Sequence, residues 1–307
     1  MLPEKIGFTK LSAGGNDFVC LDNTKGEFNL LLSSNFLPVF VQQVCRRGLS
    51  IGADGVIFAC HLGSHNGIDV VARFFEPDGS EVELCGNGTA CFTYWVVAQH
   101  LLAGPEVLIL TAAGTAKGRV DIDNSNRVTV CVPDPKKFDM NVELEVENRK
   151  WTLDCVQNGV PHAITFVDDL QNLDVAHWGS LIRHHERFQP RGMNVNFVKV
   201  LDVGHIAIRT FEFGVEGETL ACGTGSATAA IVSCLRFAWP EEYRCSKTPV
   251  KVEVRGEETL KISFACTDQS NVTDVCLETR ARAIYEGEFR PEFLQELTCI
   301  ENQTRDC

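Results

Sequence analysis

The sequence predicts an α+β fold, and three observations lead to that prediction. Short runs rich in β-branched and aromatic residues recur along the whole chain, separated by clusters of turn-forming residues. Only a few stretches are long and apolar enough to form helices. Strands and helices do not alternate strictly, so a doubly wound parallel sheet is not expected.

Ten strands and three helices are predicted on these grounds. The strands are Ile6–Lys10, Phe18–Asp22, Gly55–Ala59, Val70–Phe75, Val107–Thr111, Arg127–Val132, Trp151–Val156, Ala163–Val167, Val195–Val200 and His205–Phe211. The helices are Pro38–Arg46, Gly88–His100 and Gly225–Ala238. The proline that opens the first helix suits the first turn, where a backbone amide has no partner within the helix.

Length and charge exclude several classes of protein. With 307 residues, 44% of them hydrophobic, the chain can bury the core of one large or two smaller domains, which excludes extensive disorder. Its 41 acidic residues outnumber 28 basic ones, a formal net charge of −13 that argues against nucleic-acid and membrane partners. Glu4 and Lys5 lie where a secretory signal would begin its apolar segment, and no apolar run is long enough to span a bilayer. We therefore expect a cytoplasmic protein.

The 14 cysteines do not form a recognisable metal or redox motif. No C-x-x-C pair occurs, and the closest two, Cys85 and Cys91, have five residues between them. In a reducing compartment most of these side chains act as small buried apolar groups. No metal site is expected, but two cysteines stand out.

One pattern occurs twice in the chain. Residues 75–90 read FEPDGSEVELCGNGTA and residues 211–227 read FEFGVEGETLACGTGSA. In both copies a Phe-Glu pair precedes a turn containing glycine, a glutamate lies four residues before a cysteine, and Cys-Gly-x-Gly opens an apolar helix. The match implies two similar halves that face each other across a cleft. The polar segment 133–150, which is poor in predicted strands, marks the boundary between them.

The two Cys-Gly-x-Gly turns suggest a chemistry. At a helix N-terminus, unpaired backbone N–H groups and the positive end of the helix dipole favour the thiolate form of Cys85 and Cys222. The glycines leave further N–H groups free to bind a carboxylate. An amino acid held between two sulfurs could lose its α-proton to one thiolate and regain a proton from the opposite thiol. That sequence of steps inverts the α-carbon without pyridoxal phosphate.

These residues carry a resemblance that extends over nearly the whole chain. The sequence resembles the diaminopimelate epimerase family in the motifs Gly15-Asn16-Asp17-Phe18, Gly52-Ala53-Asp54-Gly55, Asp78-Gly79-Ser80-Glu81, Cys85-Gly86-Asn87-Gly88, Gly159-Val160-Pro161-His162, Asn194-Val195-Asn196-Phe197 and Gly217 to Gly225. The resemblance implies an isomerase with two pseudo-symmetric halves, each a curved antiparallel sheet around a central helix, and the active site in the cleft. It also implies that no cofactor and no metal are needed.

On this resemblance the halves are residues 1–135, completed by a returning strand at 283–290, and residues 136–282, with 291–307 as a tail. The site residues carry over position by position. Cys85 and Cys222 would be the catalytic pair, with His162 and Glu212 beside the thiols to tune their protonation. The α-carboxylate and other polar groups of the substrate would be bound by Gly86, Asn87, Gly223, Thr224, Asn16 and Asn194.

The sequence departs from the family where the distal end of the substrate is expected to bind. Glu76 replaces an asparagine that is usual in the family. Val160 replaces the asparagine of the usual Gly-Asn-Pro-His motif, a variant that some family members share. Phe213 replaces the arginine expected to bind the distal carboxylate of diaminopimelate. A pocket changed in this way should disfavour a distal carboxylate and suit a cationic or aromatic side chain. Two kinds of substrate are therefore expected. The residues slightly favour histidine or a basic amino acid, and diaminopimelate itself is the alternative.

Two other classes of function stay open. A Cys-His hydrolase or transferase could use Cys222 as nucleophile and His162 as base, but it would not explain the second Cys-Gly-x-Gly turn. A non-catalytic binding protein would be expected to have lost one of the two cysteines, and both are present. The only partner predicted is a small amino-acid substrate, and the sequence is compatible with a homodimer.

Overall fold

A computed structural model describes residues 5–65, 67–124, 126–132, 134–256, 258–268 and 271–305. The chain divides into two compact units, Met1–Val128 together with Ala281–Cys307, and Thr129–Arg280. Some positions used in the predictions lie outside the described residues, namely Glu4, the first residue of the segment 133–150 and the last two residues of the expected tail.

The first unit is a mixed sheet with helices. Its strands are β1 (Gly7–Ala13), β2 (Asn16–Asn23), β3 (Gly55–His65), β4 (Ile68–Phe75), β5 (Glu81–Val82), β6 (Glu106–Thr111), β7 (Gly114–Val120) and the end of β17 (Asn271–Glu288). Its helices are α1 (Asn29–Leu32), α2 (Leu37–Cys45), α3 (Gly86–Ala98) and α7 (Pro291–Arg305). β1 lies antiparallel to both β17 and β2, β2 is parallel to β3, and β3 is antiparallel to β4. β4 then pairs antiparallel with β5 and parallel with β6, which is antiparallel to β7.

Helix α3 is buried along most of its length, including its first turn. A helix that is apolar on all sides belongs in a core, and α3 packs against β1, β2, β6 and β7. A second apolar cluster joins alternate residues of β2 and β3 to α2 and α7, with Val19, Phe58, Phe40 and Leu297 at its centre. The sheet of the first unit therefore packs against α3 and against the cluster that contains α2 and α7.

The second unit contains the remaining elements. Its strands are β8 (Arg127–Cys131), which begins in the first unit, β9 (Lys136–Val146), β10 (Arg149–Asn158), β11 (Val160–Phe166), β12 (Asn194–Asp202), β13 (His205–Glu212), β14 (Gly217–Thr219), β15 (Val250–Glu253), β16 (Thr259–Asp268) and the start of β17. Its helices are α4 (Val175–Arg183), α5 (Gly223–Arg236), α6 (Glu241–Arg244) and a short 3₁₀ helix, Glu186–Phe188.

The strands of the second unit also form a mixed arrangement. β10 is antiparallel to β9 and β11, β11 is parallel to β12, and β12 is antiparallel to β13. β13 pairs antiparallel with β14 and parallel with β15, and β16 lies antiparallel between β15 and β17. Helix α5 is buried against these strands, and α4 covers a cluster that includes Trp151, Ile182 and Phe197. Cys131 and Cys276 form a disulfide, which was not predicted from the sequence.

All ten predicted strands and all three predicted helices are present, with ends that differ by a few residues. The sheets, expected to be antiparallel, are mixed. Parallel pairs occur wherever a helix lies between two strands in the chain, because a parallel neighbour needs a crossover connection of that length. The α+β class, with few helices, is confirmed.

One further expectation about the chain was wrong, and the structure adds a helix to the expected tail. The segment 133–150 is not strand-poor, because it contains β9 and the start of β10. In β9 the buried Val142, Leu144 and Val146 alternate with exposed glutamates, which is the pattern of a strand with one buried face. The expected tail contains α7, whose buried Leu294 and Leu297 join the cluster around α2. None of the helices that the structure describes is long and apolar enough to cross a membrane.

Candidate active site

Cys85 is the N-cap of α3, with extended backbone angles of φ −128° and ψ 117°. Its carbonyl accepts hydrogen bonds from the amide and the hydroxyl of Thr89, both at 2.7 Å, and the Gly88 amide donates to its Sγ at 3.4 Å. A side chain at Gly88 would crowd the Cys85 Cβ atom and the Phe74 ring. The Cys-Gly-x-Gly sequence therefore keeps a half-buried sulfur beside the backbone amides of the first helical turn.

The predicted binding residues Asn16 and Asn87 contact each other. Asn87 is 1% exposed, and its Nδ2 donates to Asn16 Oδ1 at 2.7 Å. Asn16 Nδ2 in turn donates to Asp54 Oδ2 at 3.1 Å. Gly14 and Gly15, with φ of +58° and +91°, form the tight turn that brings Asn16 to this position. The contacts join three of the sequence motifs, because Asn16, Asp54 and Asn87 come from different ones.

A network of charges supports this group of side chains. Asp17 bonds Lys10 at 2.7 Å and also bonds Arg47, which reaches Asp54 at 2.7 Å. Lys10 is buried and also donates to the Gly52 carbonyl. Burial raises the pKa of Asp17, but the hydrogen bonds from Arg47 and Lys10 outweigh it and hold that pKa below its ordinary value. Sequence reasoning identified the motif containing Asp17 but not the cations that neutralise it.

Cys222 is the N-cap of α5, with φ −127° and ψ 113°. It is 6% exposed. Its Sγ lies 3.6 Å from the hydroxyl of Thr224 and 3.9 Å from the amide nitrogen of Asn194. Both groups can donate to a thiolate, and hydrogen bonds to the charged form stabilise it. Asn194 lies on β12 opposite His162 on the parallel strand β11.

His162 reaches Cys222 through Thr224. Its Nε2 is 3.0 Å from Thr224 Oγ1, and its Nδ1 is 3.3 Å from Asn196 Nδ2. Asn196 Oδ1 accepts from Thr210, so its Nδ2 must donate, which assigns the proton of His162 to Nε2. The Thr224 oxygen then accepts a hydrogen bond from His162 Nε2–H, which leaves its own hydroxyl proton to donate to Cys222. Burial lowers the pKa of His162 to about 3, so the ring is neutral at physiological pH.

The glutamate that lies four residues before each cysteine forms an ion pair with an arginine on the preceding long strand. Arg73 donates to Glu81 at 2.7 and 2.6 Å, and Arg209 donates to Glu218 at 2.6 and 2.9 Å. Such two-pronged pairs fix both geometry and orientation. The repeated glutamate therefore anchors the strand that leads into each cysteine turn.

The remaining predicted residues lie on the strands and turns near these groups. Glu212 ends β13, and Phe213 follows it with its amide donating to Asn194 Oδ1 at 2.7 Å. Val160 begins β11, and Glu76 lies half-buried on the turn after β4. Gly86 and Gly223 are buried at the first position of their helices.

Two residues near Phe213 were missed by the sequence analysis. The guanidinium of Arg183, at the end of α4, lies 4.6 Å from the centre of the Phe213 ring. Arg183 Nε donates to both carboxylate oxygens of Glu216, at 2.9 and 2.8 Å. The only available signal was the additional glutamate in the loop between Phe213 and Glu218. Within the described ranges, no group of three or more His, Cys, Asp or Glu side chains is arranged to hold a metal ion.

Comparison with known proteins identifies relatives of the chain. The family model described as diaminopimelate epimerase matches residues 8–137 and 155–274. A diaminopimelate epimerase from Aquifex aeolicus (strain VF5) is 35% identical over 290 residues, covering 94% of this chain and 99% of the relative. One from Archaeoglobus fulgidus is 40% identical over 238 residues, covering 75% of this chain and 81% of the relative.

Solved structures with low sequence identity share the fold. A hydroxyproline epimerase from Agrobacterium vitis, with bound trans-4-hydroxy-L-proline, superposes with a TM-score of 0.73 at 14% identity, covering 93% of this chain and 92% of that one. A phenazine biosynthesis protein of the PhzF family from Bacillus anthracis gives a TM-score of 0.67 at 17% identity, covering 93% and 99%. The resemblance seen in the sequence motifs is confirmed: the chain belongs to the diaminopimelate epimerase family and is an isomerase.

Proposed function

We propose that the protein is an amino-acid racemase or epimerase that works without pyridoxal phosphate and uses Cys85 and Cys222 as its two acid–base groups. The observation that carries the proposal is that each cysteine caps a buried helix with nearly the same backbone angles. Two thiols presented by the same kind of turn suit two proton transfers that differ only in the face of the substrate.

The proton balance of the reaction is simple. One cysteine, as thiolate, takes the α-proton, so that an S–H bond forms, the C–H bond breaks and the electron pair stays on the α-carbon and its carboxylate. The other cysteine, as thiol, gives a proton to the opposite face and becomes a thiolate. The product is the mirror-image centre, and the charge has moved from one sulfur to the other.

The residues around the thiols would bind and stabilise the substrate. Backbone amides at Gly86, Asn87, Gly223 and Thr224 lie at helix N-termini, where they favour a carboxylate and the negative charge that develops on it. Thr224 and Asn194 would stabilise the Cys222 thiolate, with His162 orienting the Thr224 hydroxyl and Glu212 adjusting protonation nearby. Asn16 would hold Asn87 in place.

We also infer that the two units are pseudo-symmetric halves. β1 to β7 and β10 to β16 pair in the same order and with the same directions, with α3 and α5 at the same place in each order. This agreement supports the division suggested by the repeated motif. The boundaries at 1–135 and 136–282 stay close to those of the compact units.

The chemistry of His162 argues against a Cys-His hydrolase. A general base for Cys222 should contact its sulfur and should have a pKa near neutrality. His162 contacts Thr224 instead, and burial lowers its pKa to about 3. It is therefore better suited to orienting a hydroxyl than to accepting a proton.

Two substrates are candidates. Glu76, Val160 and Phe213 favour histidine or a basic amino acid, because a charged hydrogen bond to a distal carboxylate is worth about 1.5–3 kcal/mol and phenylalanine cannot provide it. Diaminopimelate is supported equally, since relatives that are 35% and 40% identical carry the name diaminopimelate epimerase.

A single experiment tests both the reaction and the substrate. The protein is incubated in deuterium oxide with LL-diaminopimelate or with L-histidine, L-lysine, L-ornithine or L-arginine, and α-deuteration and chirality are measured. We expect inversion with one deuterium at the α-carbon, without added pyridoxal phosphate. Efficient reaction of diaminopimelate alone would exclude the other substrates but keep the mechanism.

Cysteine variants test the mechanism itself. Cys85→Ala and Cys222→Ala should each reduce racemisation more than a thousandfold, because each removes one of two obligatory proton carriers. Cys234→Ala is a matched control, since Cys234 is also buried in α5 but lies far along it from the turn. If either turn variant kept more than a few per cent of activity while folded, the two-cysteine mechanism would be wrong.

A further inference from the structure

The loop that follows β13 is held through Glu216, whose main partner is Arg183 and whose Oε2 also lies 3.4 Å from His184 Nε2. Arg183 at the end of α4 donates to Glu216 through Nε at 2.9 and 2.8 Å and again through a terminal nitrogen. Its other terminal nitrogen donates to the Arg191 carbonyl at 3.3 Å. The Arg183 side chain is 9% exposed, whereas that of Glu216 is 44% exposed. The guanidinium is therefore fully engaged from inside the protein, with Glu216 on its solvent side.

This pair is connected to Cys222 by direct contacts. The Phe213 ring lies over the Arg183 guanidinium, the Phe213 amide donates to Asn194, and Asn194 lies 3.9 Å from the Cys222 sulfur. The loop is also constrained at Glu216, which has φ +54°, a conformation that costs energy for a residue other than glycine. Glu216 Oε1 further accepts from the Gly214 amide at 3.2 Å. Its contacts with Arg183 and Gly214 hold this backbone in place.

We infer that Glu216 acts as an internal anion that occupies Arg183, so that a substrate's distal carboxylate cannot bind this guanidinium. The inference rests on the proposed racemase activity and deepens it, by naming the residue pair that selects the substrate. A guanidinium beside an aromatic ring is a good site for a carboxylate, and here the carboxylate of Glu216 occupies its solvent side. An amino acid with a cationic or neutral side-chain end does not compete with Glu216 and is not penalised.

The test measures a ratio of specificities. For each variant, kcat/KM for LL-diaminopimelate is divided by kcat/KM for whichever of L-histidine, L-lysine, L-ornithine and L-arginine the wild-type protein turns over best. Glu216→Gln should raise this ratio about tenfold, because Arg183 becomes available to the distal carboxylate. Arg183→Met should lower it about threefold, because Glu216 then lacks its guanidinium partner and repels a distal carboxylate. The double variant should return the ratio to within about twofold of the wild-type value.

A purely structural role for the pair would give a different result. It would reduce kcat for all substrates together and leave the ratio unchanged in both single variants, which would overturn the inference. If Glu216→Gln does not fold, as judged by circular dichroism, the Arg183→Met ratio alone decides, since it is expected to move in the opposite direction.

A matched control is available in the same unit. Glu218 forms a similar pair with Arg209, and Glu218→Gln should leave the ratio unchanged. A change in the Glu218→Gln ratio as large as that of Glu216→Gln would also overturn the inference. Failure of the wild-type protein to exchange the α-proton of any of these amino acids would contradict the proposed function instead, so the two failures are distinguishable.

Discussion

The turns at Cys85 and Cys222 share a backbone but differ in the side chains that support them. Their backbone angles agree within a few degrees, and an Arg–Glu pair precedes each. Around the first, Lys10, Asp17, Arg47 and Asp54 form a network of charges. Around the second, His162, Asn196, Thr210 and Thr224 form a network of neutral hydrogen bonds.

The difference shows which part of a cysteine turn is set locally. Cys-Gly-x-Gly fixes the conformation, because the glycines let the helix begin close against its neighbours. The supporting layer can be charged where one partner reaches solvent, as Arg47 does with 61% of its side chain exposed. Where all partners are buried, as around His162, neutral groups avoid the cost of desolvating charges.

The largest effect expected from this comparison concerns Asp17. Asp17→Asn should lower the free energy of unfolding by about 3 kcal/mol, because it leaves the buried Lys10 without its carboxylate. Thr210→Val, which cuts the neutral network at Asn196, should cost about 1 kcal/mol. Denaturation in urea measures both. The Lys10→Met/Asp17→Asn double variant should recover most of the lost stability. If Asp17→Asn and Thr210→Val lowered the free energy of unfolding equally, the charged and the neutral network would not differ in strength.

The next effect is a difference between the two networks in how the free energy of unfolding depends on pH. Since burial lowers the pKa of His162 from about 6.5 in the unfolded chain to about 3, the unfolded state binds a proton that the folded state does not as pH falls below 6.5. Stability from this group should fall by about 1.4 kcal/mol per pH unit, or about 2 kcal/mol at pH 5. The lowered pKa of Asp17 acts only in more acidic solution, below about pH 4.

His162→Gln provides the measurement. Its free energy of unfolding between pH 8 and pH 5 should change less with pH than that of the wild-type protein, even if it is less stable at pH 8. Equal slopes for the two proteins would mean that His162 is protonated in the folded state, contrary to its buried environment.

The smallest expected effect concerns the hydrogen bond from a side-chain hydroxyl to the Cys222 sulfur. Thr224→Val removes the hydroxyl that lies 3.6 Å from Cys222, so kcat/KM should fall about tenfold at pH 7 and recover partly at higher pH. Thr224→Ser keeps the hydroxyl and should stay within about threefold of wild type. A valine variant with the wild-type pH profile would indicate that the Thr224 hydroxyl does not stabilise the Cys222 thiolate.

Much of this site could be predicted from the sequence because its parts are local. The repeated Cys-Gly-x-Gly turns identified both helix N-termini, although α3 and α5 begin two residues earlier than predicted because the glycine after each cysteine already has helical geometry. Helix α4 was missed despite a usable signal, since Asp174 caps it by accepting from the His177 amide.

The supporting contacts could not be predicted, because most of them join residues far apart in the chain and the others depend on the register of paired strands. Lys10 contacts Gly52 and Asp17, and Arg183 contacts Phe213 and Glu216, in each case through strand pairing and helix packing that set the spacing. Only the fold brings such side chains together. The substrate expectation was drawn from the replacement of an arginine by Phe213. It did not take into account the guanidinium of Arg183, which packs against the Phe213 ring.

Strand β17 has a consequence for how the protein is made. Its second half pairs with β1 from Gly7–Glu288 to Ala13–Ala281, so β1 pairs with a strand that is translated only after most of the second unit. About 150 residues separate the two parts of the first unit in the chain. During synthesis the nascent first unit must wait, with β1 unpaired on that side, while the whole second unit is translated. The second unit, whose residues are contiguous, can complete its own fold before the first.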